Sequence, residues 1–577
     1  MRLIETVKRL IWRTDENRQR TDENRLLNAL RDGVKKSEQI ASSDYKKYGE
    51  VFIKSPYCPK KLNLPDVKIL FKRESIINAR NQVDALTSVW KERLNLLVKG
   101  QDTRRPLISL VIPDGQSVRT FLLTDVWRRL NSWSDVIVIA PEGVENLCPT
   151  LAIKKERVLP MPNIARMRID TLLRFVHYRN SGGQTHQIFT KNIEASLTGR
   201  GDEISKVIRR LWELSSLFSS REDYCRLYEF TMMAYGALYP MNEICGIVSR
   251  LSPDVVINAN AISYNARLWT RAASIEGIPS VAFVISWDNL SSKWLVDEFV
   301  DLYLLWSEEM EEDLKTSFPI FASKEKIITG SPQFEPIIKK SFSISREAFF
   351  EKYRLKDGVP LILYTTGSKT TFPAEPEFLM EMLSTWRNKY YDRMQFMIRM
   401  HPKDRLSRYE MVRATFPEVP FTLAGENLQS GERWLPTADD IGLLVDQINY
   451  CDIIVNVAST MTIEGFAVEK PSVNIGFDLG KIDSIHYPLK DYYNSKHYFD
   501  VITTGAANLA MNYEEVFRYI LHYLEDPASG RDTRKAIFLK KCTYPFDSSV
   551  RIDNTLRNFI EGIRKKNSTD MLKKDNF

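Results

Sequence analysis

The sequence predicts an α/β protein of two successive units, each a parallel sheet with crossover helices. Short apolar runs alternate with helix-length stretches along most of the chain, which is the rhythm of βαβ units. Each run ends in polar or small residues, as strands do where they meet a ligand-binding edge. The pattern also restarts near residue 341, and 577 residues are too many for one core.

Residues 1–105 read as a charged, helical extension. RTDENRQ at 13–19 is followed at once by RTDENRL, a near-duplication too short for a coiled coil. Ahead of it, Leu3, Ile4, Val7, Leu10 and Ile11 share one helical face, with Arg2, Lys8, Arg9 and Arg13 away from it. That stripe suits a peripheral contact with an anionic membrane, or docking on the rest of the protein. The first unit spans 106–340. Its strands are PLISLVI, DVIVIA, DVVINA, PSVAFVIS, VDLYLLW and KIITGS, with a helical insertion at about 165–250 that contains the loop SGGQTHQ. The second spans 341–545, with PLILYTTGS, MQFMIRMHP, VPFTLAG, CDIIVNVAST and PSVNIGF. Residues 546–577 form a C-terminal helix and tail.

Composition removes several function classes. Hydrophobic residues at 43% and charged residues at 27% describe an ordinary globular chain without an 18-residue apolar run. The start, MRLIETVKRLIWR, lacks a secretory cleavage pattern. A net charge of +7, spread along the chain and without any zinc-finger, zipper or RNA-binding motif, gives no case for nucleic acid. The six scattered cysteines form no CxxC and read as reduced thiols, so a cytoplasmic location is expected, either free or at the inner face of the cell membrane. There is no DxD triplet to hold a metal on a nucleotide sugar, so neither a metal nor a cofactor is expected.

Chemistry concentrates at strand ends. In CDIIVNVASTMTIEGFAVEKP the strand stops at Asn456, and Ser459 and Thr460 stand where a helix begins. Unpaired N–H groups and two hydroxyls there suit a phosphate, with Glu464 about a turn further on for a ribose diol. The plainer reading is a helix cap with Glu464 completing a capping box. RMHPKD puts Arg399 and His401 at another strand end, where the imidazole can donate to a phosphate oxygen and, if protonated, neutralise a departing nucleotide. YTTGSKTTF adds Thr366, Gly367, Ser368 and Lys369 as a frame for the nucleotide, or a solvated loop. In the first unit, VISWDNLSSKW ends a strand with Asp288, Asn289 and Lys293, either a catalytic turn or a cap. Asp114 in IPDGQS and Glu142 in APEGV are rival bases.

These segments, in order, resemble the CDP-glycerol glycerophosphotransferase family of GT-B teichoic-acid polymerases. That family shows WHGTPLK, GxPRxD, a strand ending PTW, RxHP, and DYSS…KP. This chain has SWDNLSSK, GSPQFE, LYTTGS, RMHP and NVASTMTIEGFAVEKP. The resemblance covers about residues 250–480 and implies two Rossmann-like domains facing across a cleft. It departs where the family has His-Gly, here Asp288-Asn289; where it has Arg, here Gln333; and at Tyr-Ser-Ser, here Ala458-Ser459-Thr460. HP and the Ser/Thr pair are also similar to bacterial sialyl- and Kdo transferases, with only Asp114-Gly115 left of their acid–acid–Gly motif. The resemblance therefore implies an inverting, metal-independent glycosyltransferase that builds a cell-surface polysaccharide. Its donor would be a CMP-, CDP-, UDP- or GDP-linked sugar, and its acceptor a glycan or a lipid-linked glycan. Asp288 would act as base, His401, Ser459 and Thr460 would hold phosphate, and Lys293 matches the family lysine. A CDP-glycerol glycerophosphotransferase, a sugar-nucleotide 2-epimerase and a non-catalytic scaffold of a glycan-assembly complex are the alternatives.

Overall fold

The computed structural model describes residues 16–42, 48–71, 73–99, 105–180, 203–293, 296–423, 434–479 and 488–574. They form two compact units. The first takes the chain up to Pro113, then 128–328 and 550–577; the second takes 114–127 and 329–549. The stretch that leaves the first strand thus packs with the second unit, and most of the Ser548–Lys574 helix returns to the first.

The first unit holds seven parallel strands. They are β1 Leu107–Val111, β2 Asp135–Ala140, β3 Val158–Pro160, β4 Val255–Asn258, β5 Ser280–Phe283, β6 Leu302–Leu305 and β7 Glu325–Ile328. Their order across the sheet is β3-β2-β1-β4-β5-β6-β7. The second unit holds β8 Leu361–Thr365, β9 Gln395–Arg399, β10 Phe421–Thr422, β11 Ile453–Asn456, β12 Ser472–Ile475 and β13 Asn508–Ala510. Their order is β10-β9-β8-β11-β12-β13, again all parallel. Both sheets carry the doubly wound order, and in each the direction of winding reverses beside the first strand. The fold class read from the sequence, two Rossmann-like units after a helical extension, is the one observed. Two edge strands, β3 and β13, were not among the expected runs.

These runs become strands because both faces of a parallel sheet are covered, so every position can be apolar. In β8, Ile362 and Tyr364 enter one core with Phe378, Leu379 and Met382 of the Glu375–Lys389 helix. Leu361 and Leu363 enter another with Phe349, Phe350 and Ile454.

The extension docks on its own protein. The Glu16–Ser42 helix lies along the Arg221–Leu238 helix, with Arg221 bonding Asp22 at 2.9 Å. The crossing is set by two glycines. A Cβ on Gly33 would stand 2.1 Å from the Met233 carbonyl oxygen, and one on Gly236 would stand 2.4 Å from that of Leu30. Backbone cannot yield there, so Gly236→Ala should force the helices apart and cost about 1–3 kcal/mol. Urea denaturation, with proteolysis of the extension as a second readout, checks this. The apolar stripe at residues 3–11 and the SGGQTHQ loop lie outside the described residues. Among the described residues no helix is long and apolar enough to cross a membrane.

Candidate functional site

In the second unit the ends of three central strands are level. Thr365 pairs with Arg399 on one side and with Asn456 on the other. The loops after β8, β9 and β11 therefore leave the sheet together, at the point where the winding reverses and where open α/β sheets bind ligands. This edge gathers Thr366, Gly367, Ser368, Arg399, His401, Ser459 and Thr460.

His401 is fixed by backbone bonds. Its N–H donates to Thr366 Oγ1 at 2.8 Å, and its Nδ1 accepts the Lys403 N–H at 3.0 Å. An accepting Nδ1 assigns the ring proton to Nε2. Burial, aided by Lys403 and opposed by Asp404, pushes its pKa down to about 4. The imidazole is therefore neutral at pH 7, which leaves it the donor role of the two the sequence offered. It offers a phosphate one N–H and no charge.

The loop after β8 is tied from below by a residue the sequence reading did not single out. Glu375 is fully buried and accepts the Gly367 N–H at 2.9 and 3.1 Å, the Tyr364 hydroxyl at 2.9 Å and the Tyr409 hydroxyl at 2.9 Å. Tyr409 is also bonded to Asp404 at 3.0 Å, three residues after His401. One carboxyl thus joins the 366–368 loop to the 401–409 loop. Burial raises its pKa to about 8 against those three donors. The Gly367 N–H is consequently spent inside the protein and is not a phosphate donor. Ser368 bonds to Thr370 and Thr371, both at 2.9 Å, and Lys369 is exposed. Arg399 is buried and donates to Gln447 at 2.8 Å; burial lowers its pKa to about 10, which leaves it charged.

After β11, Ser459 caps the Thr460–Phe466 helix by accepting the Met461 N–H at 3.2 Å. The Ser459 carbonyl and Thr462 are held by the buried Tyr498 hydroxyl at 3.4 and 2.7 Å, and Thr462 is bonded in turn to Asn456 and Asn474. Glu464 does not close a capping box. Its Oε1 accepts from Arg119 Nη1 at 2.9 Å, and both side chains are nearly buried. Arg119 belongs to the 114–127 stretch of the same unit, as does Asp114. Asp114 Oδ1 accepts both the N–H and the hydroxyl of Ser117 at 2.9 Å. Gly115 beside it is obligatory, because a Cβ there would lie 1.9 Å from the Trp434 carbonyl oxygen.

In the first unit, Asp288 opens the short Asn289–Ser292 helix after β5. It makes no side-chain bond to that helix's backbone. Its Oδ1 accepts from Ser286 Oγ at 2.6 Å and Asn289 Nδ2 at 3.3 Å. Its Oδ2 accepts from Ser292 Oγ at 2.8 Å and pairs with Lys293 at 3.3 Å. The polar residues of that turn converge on one carboxylate. Four donors already engage its oxygens, which leaves it fewer lone pairs to offer a substrate hydroxyl.

No family model matches the chain, and no curated protein matches it. Similar solved structures include a UDP-N-acetylglucosamine 2-epimerase of Listeria monocytogenes, described as putative (10% identity, 79% of this chain and 97% of that one, TM-score 0.48). Another is the Neisseria meningitidis UDP-GlcNAc 2-epimerase bound to UDP-GlcNAc (12% identity, 78% and 100%, TM-score 0.47). A glycosyltransferase of Rickettsia africae matches at 12% identity over 80% and 99%, with TM-score 0.43. These likenesses are too slight to assign a substrate, and the CDP-glycerol glycerophosphotransferase resemblance gains no support from them.

Proposed function

We propose that the protein is an enzyme of nucleotide-activated sugars that binds the nucleotide through its second unit. One observation carries the reading: level strand ends at a winding reversal bring together a neutral His401 donor, the Ser459–Thr460 helix start and Glu464. Nε2–H and the hydroxyls would hold phosphate oxygens, and Glu464 would take a hydroxyl pair.

Two reactions fit such a site. Epimerisation at C2 keeps the sugar with its own nucleotide and asks for no acceptor. Glycosyl transfer needs a base for an acceptor hydroxyl, and building a cell-surface polysaccharide on a glycan or lipid-linked acceptor belongs to that reading. The four donors already on Asp288 favour epimerisation, with Asp114, which shares a unit with His401, as the carboxylate to test. Incubating a panel of UDP-, CDP-, GDP- and CMP-sugars with the protein alone in deuterated water separates the two. Deuterium at C2 without acceptor is the expected result, and turnover only on adding an acceptor would establish transfer. His401→Ala should lower the rate about 10²-fold, as losing one donor to developing charge does. Asp288→Asn should change it less than about 10-fold; a loss of ~10²–10⁴-fold would restore Asp288 as base. Absence of thermal stabilisation by every nucleotide would leave the scaffold reading.

A further inference from the structure

The Arg119–Glu464 pair is made end-on. A guanidinium and a carboxylate commonly join by two parallel bonds, yet here only Nη1 and Oε1 meet. Arg119 Nη2 and Glu464 Oε2 are both buried with no hydrogen-bond partner. The turn that carries Arg119, Val118–Leu122, packs against the Pro332–Phe334 turn. There Gln333 is 1% exposed, and neither its Nε2 nor its Oε1 has a partner. Buried polar groups are ordinarily paired, and each unpaired one is a cost to the folded protein. Four such atoms on three neighbouring segments of one unit are a cost that a bound ligand would remove.

Their chemistry selects the ligand. Two of the groups donate, Arg119 Nη2 and Gln333 Nε2, and two accept, Gln333 Oε1 and Glu464 Oε2. A phosphate or carboxylate would satisfy the donors and face two bare oxygens. A cation would do the reverse. Adjacent hydroxyls, each able to donate and accept, satisfy all four. We infer that Arg119, Gln333 and Glu464 form a subsite of the second unit for a vicinal diol of the nucleotide sugar, and that Gln333 is a specificity residue kept at the expense of stability. The inference rests on the nucleotide-sugar reading above. The diol is either the ribose 2′,3′ pair or a pair on the sugar ring.

The test uses the full chain and Gln333→Met, which keeps the volume and removes both polar atoms. Thermal melting is followed alone and with UDP, 2′-deoxy-UDP and UDP-N-acetylglucosamine, or the CDP and GDP counterparts if those bind instead. The variant should melt above the unaltered protein while binding the diol-bearing probe about 10-fold more weakly. If UDP loses affinity and 2′-deoxy-UDP does not, the diol is the ribose. If only the sugar-linked probe weakens, the diol is on the sugar. Arg119→Lys, which keeps the charge beside Glu464, should weaken the same probe. A Gln333→Met protein that melts lower, or binds every probe as the unaltered chain does, overturns the subsite while leaving the nucleotide site intact. An unaltered chain that binds no nucleotide overturns the functional reading itself, and this inference with it.

Discussion

Glu298→Ala should cost the first unit 3–5 kcal/mol or more, among the largest losses any single substitution here can produce. Glu298 is fully buried and holds two arginines at once. Its Oε2 accepts from Arg267 Nε and Nη2 at 3.0 and 2.8 Å, and its Oε1 from Arg271 Nε and Nη2 at 2.9 and 2.6 Å. Both arginines lie on the Ala266–Glu276 helix after β4 and are themselves buried. Removing the carboxylate leaves two guanidiniums in the core without their partner, and a domain has only about 5–15 kcal/mol in total. Asp297 next door accepts from Asn258, at the end of β4, at 2.6 Å and from Thr270 at 2.7 Å. The network therefore anchors the stretch that descends from the Asp288 turn to β6. Urea denaturation should show the loss. The triple change Arg267→Met, Arg271→Met, Glu298→Leu should recover most of it, because an apolar set of similar volume avoids desolvating three charges. A single variant as stable as the unaltered protein would mean that water reaches this cluster.

The strands of both sheets were legible because burial on two faces demands unbroken apolar runs, and DVIVIA or DIIVN can hardly be anything else. The edge strands β3 and β13 were not, since each is three residues long and packs too little surface to impose a pattern. The strand-end residues could be named, but not what they bond. VISWDNLSSKW looked like a site, and its polar residues turn out to serve one another: Ser286, Asn289, Ser292 and Lys293 all engage Asp288. His401 was visible from RMHP; its neutrality was not, because burial and the Lys403 N–H are matters of packing. Glu375 and Arg119 left no local signal. Their partners lie 8 to 345 residues away, and no spacing rule reaches that far. Gln333 was noticed only as a missing arginine, whereas the fold gives it meaning through the Arg119 turn beside it.

Glu375 and His401 should give the second unit two opposed pH dependences, separable by substitution. Glu375 has a folded pKa of about 8 against an ordinary value of 4.5. Between those values the native protein holds a proton that the unfolded chain has lost. Its contribution is thus fully present below pH 4.5 and disappears as pH rises through 8, a span worth roughly 5 kcal/mol. His401 runs the other way in acid. Its folded pKa of about 4 lies below the ordinary 6.5, so the unfolded chain takes the proton first. Stability falls from pH 6.5 to about 4 by at most roughly 3 kcal/mol, the ring being partly open to solvent. Glu375→Gln keeps an oxygen for the Gly367 N–H and an amide for Tyr409 while removing the titration. It should match the unaltered protein at pH 5 and exceed it by several kcal/mol at pH 9. His401→Asn should remove the acid limb alone. Because Glu375 ties the loop of Thr366 to that of His401, the stability lost on ionising it should also lower the protection of the Gly367 amide, relative to its intrinsic exchange rate, above pH 8, and Glu375→Gln should keep that protection. Parallel stability profiles for Glu375→Gln and the unaltered chain between pH 5 and 9 would show that the carboxyl is ionised in place, and that its three donors outweigh its burial.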